Sequence, residues 1–180
     1  VSDSSLVASA DFLADYTNRY LGIPLRVDVP KKGKKRTADK AVNGIVLVNR
    51  NNGEVSGGYR LEVIPGTGIR IEGNDAAGVF YGVQTLIQML PVRAGVLPIL
   101  AAAKVVDYPR FAYRGMHLDV VRHFFPVEFI KKYIDYLALH KLNYFHWHLT
   151  DDQAWRVEMK CRPELTAKGS VREGEIEGLY

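Results

Sequence analysis

Two clusters of charged and imidazole side chains follow two short apolar stretches. Arg122-His123 comes after residues 115–121, and Asp151-Asp152 comes after residues 144–149. A guanidinium carries several fixed donors and stays charged, so Arg122 is suited to gripping hydroxyls or an anion. A carboxylate such as Asp151 can orient an imidazole and support positive charge on it, which is the chemistry of an acid–base relay. His146 and His148 lie two apart, and an HxH pair on a strand can hold a metal that a nearby aspartate completes. Each reading has a plainer rival. Arg122 and Asp151 could be a structural ion pair, and the histidines could pack inward with their rings hydrogen-bonded. His117 and Asp119 share one side of their stretch, opposite Met116 and Leu118, and stay open between internal bonding and service to a site.

The elements that must position these groups are legible from periodicity. Residues 115–121 alternate, with Met116, Leu118 and Val120 on one side and His117 and Asp119 on the other, which predicts a strand. From 126 to 140 the apolar residues Val127, Ile130, Tyr133, Ile134 and Leu137 fall on one helical stripe, with Pro126 suited to the first helical position. Residues 144–149 alternate again. Strand, helix and strand in this span form a βαβ unit, whose strands are parallel and joined right-handed. In such sheets chemistry sits past the carboxyl ends of the strands, which is where Arg122 and Asp151 fall.

The preceding part of the chain reads as an α+β domain. Residues 4–20 form a helix that Ser4 or Ser5 can cap and Gly22 can end. Residues 25–29, between Pro24 and Pro30, and residues 44–48 read as strands. Residues 59–63 and 69–72 alternate around Pro65-Gly66-Thr67-Gly68, a hairpin signal. A helix capped by Asn74 or Asp75 then runs to about Leu90 and stops at Pro91, and residues 96–106 are partly extended. The expected domain is a mainly antiparallel sheet with two helices on one face. Residues 107–110 connect it to the βαβ unit, so the expected domains are 1–107 and 108–180. Beyond Trp155, which reads as packing, a short helix is expected near 161–168 and a disordered tail from 169 to 180.

Composition narrows the function. Hydrophobic residues make up 47% and charged residues 24% of 180, which are the proportions of a globular chain. Net charge is +4, and much of it lies in the run 31–36, which reads as a solvated loop and not a nucleic-acid surface. The single cysteine, Cys161, excludes an intrachain disulfide, and no apolar run is long enough to span a membrane. The chain starts VSDSS, with neither Met nor a signal peptide, as a processed or cloned fragment would.

Several motifs together resemble the family-twenty glycoside hydrolases, the β-N-acetylhexosaminidases. They are Asp107-Tyr108-Pro109-Arg110, Arg114-Gly115, Leu118-Asp119, Arg122-His123-Phe124 and the run from His146 to Gln153. The helix with Gly78, Tyr81-Gly82 and Gln84-Thr85-Leu86 resembles the last helix of that family's small domain. The resemblance implies that residues 108–180 open a (β/α)8 TIM barrel, truncated after its second strand. It implies removal of terminal N-acetylglucosamine or N-acetylgalactosamine from glycans with retention, the substrate's acetamido oxygen acting as nucleophile, which departs from the two-carboxylate scheme. Arg122 then resembles the arginine that grips the terminal sugar. Asp151 resembles the aspartate that orients the acid Glu through a histidine. The family's adjacent Asp-Glu pair does not occur in these 180 residues, so the chain alone is expected to be inactive.

The resemblance further implies no cofactor, no metal and no nucleic-acid partner. It also implies export of the parent protein to a periplasmic, secreted or lysosomal location. Self-association through the open barrel edge is expected of the fragment. Two alternatives remain beside it: a metal-dependent, amidohydrolase-like enzyme using His146 and His148, and a non-catalytic binding or folding module.

Overall fold

A computed structural model describes residues 1–2, 4–29, 43–52, 54–91 and 98–170. The basic run 31–36 and all but the first two residues of the expected tail 169–180 lie outside the described residues. The chain divides into two compact units, Val1–Ala112 and Tyr113–Tyr180.

In the first unit α1 spans Val7–Leu21 and buries Leu13, Thr17 and Leu21 at four-residue spacing, one stripe of the helix. Gly22 ends it at φ 68°, donating its N–H to Asn18 O, while Ile23 N–H reaches Thr17 O. Neither Ser4 nor Ser5 caps the helix. Ser4–Leu6 already turns as a 3-10 segment, and Leu6 holds the cap position without a side-chain bond. A serine inside a helical turn lacks the extended backbone that a cap needs.

Four strands follow: β1 (Gly44–Asn49), β2 (Tyr59–Ile64), β3 (Gly68–Gly73) and, after α2 (Ala76–Met89), β4 (Ala103–Asp107). Their order is β1-β3-β2-β4. The β2 pairings with β3 and β4 are antiparallel, but β1 runs parallel to β3, so the sheet is mixed and not simply antiparallel. The expected strand at 25–29 does not form. The outer edge of β1 is met instead by the N-terminus, where Ser2 N–H donates to Leu47 O and Ser2 Oγ accepts from Asn49 N–H. Alternation in 25–29 marked a face, but a strand also needs a free partner edge.

Of the two proposed caps for α2, Asp75 holds the position. Its side chain accepts from Gly78 N–H at 2.8 Å and from Ser56 Oγ at 2.7 Å, tying the helix start to the preceding turn. The core between helices and sheet holds Leu6, Leu13, Leu47, Leu61, Ile71, Val79, Val83 and Leu86, all at most 3% exposed. Two glycines let α2 approach the sheet. A Cβ on Gly82 would stand 2.4 Å from Ile71 Cγ2, and one on Gly78 would stand 2.1 Å from the Gly58 carbonyl oxygen.

The second unit carries the βαβ arrangement: β5 (Gly115–Asp119), α3 (Val127–Leu139) and β6 (Tyr144–His148), with β5 and β6 parallel. Pro126 caps α3 and is not its first helical residue; its carbonyl accepts from Phe129 and Ile130 N–H. A tight hairpin, β7 (Thr150–Asp151) and β8 (Ala154–Trp155), follows, then α4 (Pro163–Gly169), which tolerates Pro163 because the proline opens it. Among the described residues no helix is long and apolar enough to cross a membrane.

Gly78→Ala should destabilise the first unit by about 3 kcal/mol, at the upper end for overpacking, because a backbone carbonyl cannot swing aside as a side chain can. Urea unfolding measures it; a loss within experimental error of zero would mean that α2 can lift from the sheet without cost.

Candidate active site

The site lies at the carboxyl ends of β5 and β6. Their register sets Asp119 opposite His148 and His117 opposite His146. Asp119 ends β5 by a local turn, with its Oδ1 accepting from Val121 N–H at 2.8 Å and Arg122 N–H at 3.1 Å. That turn brings the Arg122 side chain back, so Nη1 lies 2.9 Å from Asp119 Oδ2. Nη2 of the same guanidinium lies 2.8 Å from Asp151 Oδ2. One arginine thus bridges carboxylates from two strand exits. Asp151 is held in turn by the β7–β8 hairpin, and its Oδ1 accepts from Asp152 N–H at 2.9 Å.

His148 completes the cluster. Its Nε2 lies 2.9 Å from Arg122 Nη1 and 3.1 Å from Asp151 Oδ2. An arginine only donates and a carboxylate only accepts, so one nitrogen cannot bond both. With Nε2 bare, His148 accepts a hydrogen bond from Arg122 Nη1, and with Nε2 protonated it donates one to Asp151 Oδ2.

The structure brings together Arg122 and Asp151, the two residues singled out from the sequence. It adds Asp119 and His148, whose roles periodicity left open; the i,i+3 spacing of Asp119 and Arg122 was the available signal. Arg156 had no signal. Its Nε donates to Val120 O at 3.1 Å and its Nη1 to Ser170 O at 2.9 Å, and its guanidinium lies 5.4 Å from the centre of the Phe124 ring. It fastens the β5 exit to the end of α4. Asp152 supplies its backbone to Asp151, and Trp155 packs its Cβ beside Gly169.

The electrostatics favour the charged forms of Asp119, Asp151 and Arg122. Burial works against ionising Asp119, but the Arg122 and Val121 N–H groups and the Arg122 charge outweigh it and lower the pKa. For Asp151 the Asp152 N–H is the largest cause of a lowered pKa, opposed by burial and assisted by His148 and Arg122. Burial pulls the Arg122 pKa down and the Asp119 and Asp151 charges raise it further, so the guanidinium stays protonated. The Arg122 and Asp151 side chains are 44% and 35% exposed. An ion pair so open to solvent adds little to stability.

A βαβ unit with charge gathered past its strand ends is the arrangement of α/β enzymes. Comparison gives the particular family. Residues 1–108 match the family described as glycosyl hydrolase family 20, domain 2, and residues 111–180 match the glycosyl hydrolase family 20 catalytic domain. The chain belongs to glycosyl hydrolase family 20.

It is 36% identical over 183 residues to a beta-N-acetylhexosaminidase of Cellulomonas fimi, covering 99% of this chain and 35% of that protein. It is 51% identical over 123 residues to a beta-hexosaminidase of Porphyromonas gingivalis, covering 63% of this chain and 16% of that one. The Streptomyces plicatus N-acetyl-beta-hexosaminidase, solved with Thio-NAglucal, superposes with a TM-score of 0.78 at 36% identity, covering 96% of this chain and 34% of that chain. The chain therefore spans about a third or less of the length of these relatives.

A carboxyl whose folded pKa is lowered contributes stability that is complete above its unfolded pKa and is lost as pH falls through the folded one. Carboxyl NMR titration should give midpoints below about 3.9, the free Asp value, for both Asp119 and Asp151. Arg122→Gln should move both midpoints upward. Midpoints at the free value in the unsubstituted chain would mean that Arg122 does not bridge them in solution.

Proposed function

We propose that this chain is the N-terminal part of a retaining β-N-acetylhexosaminidase that releases terminal N-acetylglucosamine or N-acetylgalactosamine from glycans. Unit one is its small α+β domain, and β5–α3–β6 opens a (β/α)8 barrel. The observation that carries this reading is the 2.8 Å contact of Arg122 with Asp151 at neighbouring strand exits, on the side where such barrels do chemistry.

In this reading the substrate's acetamido oxygen attacks the anomeric carbon and forms an oxazolinium ion. A Glu from later in the barrel protonates the leaving oxygen, and an adjacent Asp stabilises the acetamido group. Water then opens the oxazolinium with net retention. Arg122 donates to hydroxyls of the terminal sugar while Asp119 and Asp151 hold its plane, which fixes the sugar's orientation before attack. Asp151 orients, through a histidine of a later strand, the acid Glu. Support also comes from the relatives, which are hexosaminidases, and from a Vibrio harveyi family member solved with N-acetylglucosamine.

In the protein at the length of its relatives, Arg122→Ala should lower kcat/KM on a chromogenic N-acetylglucosaminide by on the order of 10–100-fold, the loss expected for charged hydrogen bonds to substrate. Unchanged kcat/KM would remove Arg122 from the sugar site. The 180-residue chain alone should show no turnover; hydrolysis at the parent's rate would refute the assignment of the acid to a later strand.

The self-association expected of an open barrel edge belongs to the same reading. Parallel sheets are ordinarily covered on both faces, yet Met116 on β5 and Trp147 on β6 are 46% and 41% exposed. Sedimentation of the 180-residue chain should show association that grows with concentration, and a monodisperse monomer would contradict it.

A further inference from the structure

The face of β5 and β6 that carries Asp119 also gathers three imidazoles. His117 pairs directly with His146 across the ladder, and His148 follows two residues along β6 on the same face. The His117 ring centre lies 4.6 Å from that of His146 and 5.9 Å from that of His148. One ring nitrogen from each of the three lies within 4.8 Å of the other two. Helix α3 packs on the opposite face, where Tyr133 meets Phe145 at 5.5 Å. Among the described residues His117 and His146 are exposed and His148 is half-buried.

Zinc binds imidazole nitrogen at about 2.0–2.1 Å, which sets tetrahedral ligand nitrogens about 3.4 Å apart. Bringing nitrogens from 4.8 Å to that spacing takes rotation about χ2, the broad and soft torsion of a histidine. The donor set also selects the ion. Three imidazoles without thiolate suit zinc, nickel or copper, whereas calcium and magnesium require oxygen ligands. The two carboxylates in reach, Asp119 and Asp151, are already committed to Arg122, so they serve as neighbouring charge and not as ligands.

We propose that His117, His146 and His148 form a binding site for one divalent transition ion, with water completing its coordination. The site does not depend on the glycosidase reading and assigns the ion no part in hydrolysis. It shares His148 with the charged cluster, because the same Nε2 faces Arg122 and Asp151. An ion that takes Nε2 displaces both contacts; one that takes Nδ1 leaves them in place.

The test is zinc titration of the untagged 180-residue chain by calorimetry at neutral pH, with copper as the spectroscopic probe. Saturable binding of one ion per chain is expected. His117→Gln and His146→Gln should each weaken it by about tenfold or more, and His140→Gln, at the end of α3, should leave it unchanged. Copper should show nitrogen hyperfine couplings from more than one imidazole in its spin-resonance spectrum. Absence of saturable binding would overturn the proposal, as would binding that survives both cluster substitutions or disappears with His140→Gln. Should a substituted chain fail to fold by circular dichroism, the copper spectrum of the unsubstituted chain decides: couplings from at least two imidazoles support the site, and couplings from one or none overturn it.

Discussion

The parallel register of β5 and β6 sets Asp119 beside His148, and the geometry of the charged cluster follows from that pairing. A slip of one residue would pair Asp119 with Trp147 or Leu149 and leave Asp119 and His148 on opposite faces of the sheet. With the register as it is, the Asp119 turn returns Arg122 over the strand ends, and the β7–β8 hairpin delivers Asp151 to the guanidinium. Backbone N–H groups orient both carboxylates, so the arginine is aimed by main-chain geometry and not by the ion pairs alone.

The first unit contains the inverse arrangement. There one carboxylate, Glu72, sits between two guanidinium groups, accepting from Arg50 Nε at 2.8 Å and Arg70 Nε at 2.6 Å. Burial opposes ionising Glu72, which is 9% exposed, but the Arg50 and Arg70 hydrogen bonds and charges outweigh it and lower its pKa. Glu72 lies on the sheet beside strands, and its acceptors face their partners within the protein. Arg122 lies past the strand ends between Asp119 and Asp151, which are 29% and 35% exposed, whereas the Glu72 side chain is 10% exposed. The contrast is between a buried carboxylate that two guanidinium groups tie into a sheet and a guanidinium held by two more open carboxylates.

Where periodicity was strong, the sequence was a good guide to these elements. The strands expected at 115–121 and 144–149, the helix at 126–140, the hairpin at Pro65–Gly68 and the Gly22 stop rest on local geometry and appear in the structure, the strands a little shorter; of the expected α3 stripe Ile130 and Leu137 are buried, while Val127 and Ile134 are exposed. The failure concerns a partner. The missing strand at 25–29 depends on which edge meets which segment, and no local pattern encodes that, nor the one parallel pair, β1–β3, within the mainly antiparallel sheet. The same holds in the site. Arg122 and Asp151 were legible as chemically able groups at strand ends, whereas Arg156 was not, because its bonds reach Val120 and Ser170 through backbone carbonyls that every residue possesses.

The central claim is that Arg122, held by Asp119 and Asp151, is the group that receives a sugar. The most direct measurement is a crystal structure of the protein, at the length of its relatives, with N-acetylglucosamine bound. The account predicts a guanidinium nitrogen of Arg122 within about 2.9 Å of a sugar hydroxyl, with its contacts to Asp119 and Asp151 intact. A sugar bound elsewhere, or bound in the barrel mouth without touching Arg122, would contradict it.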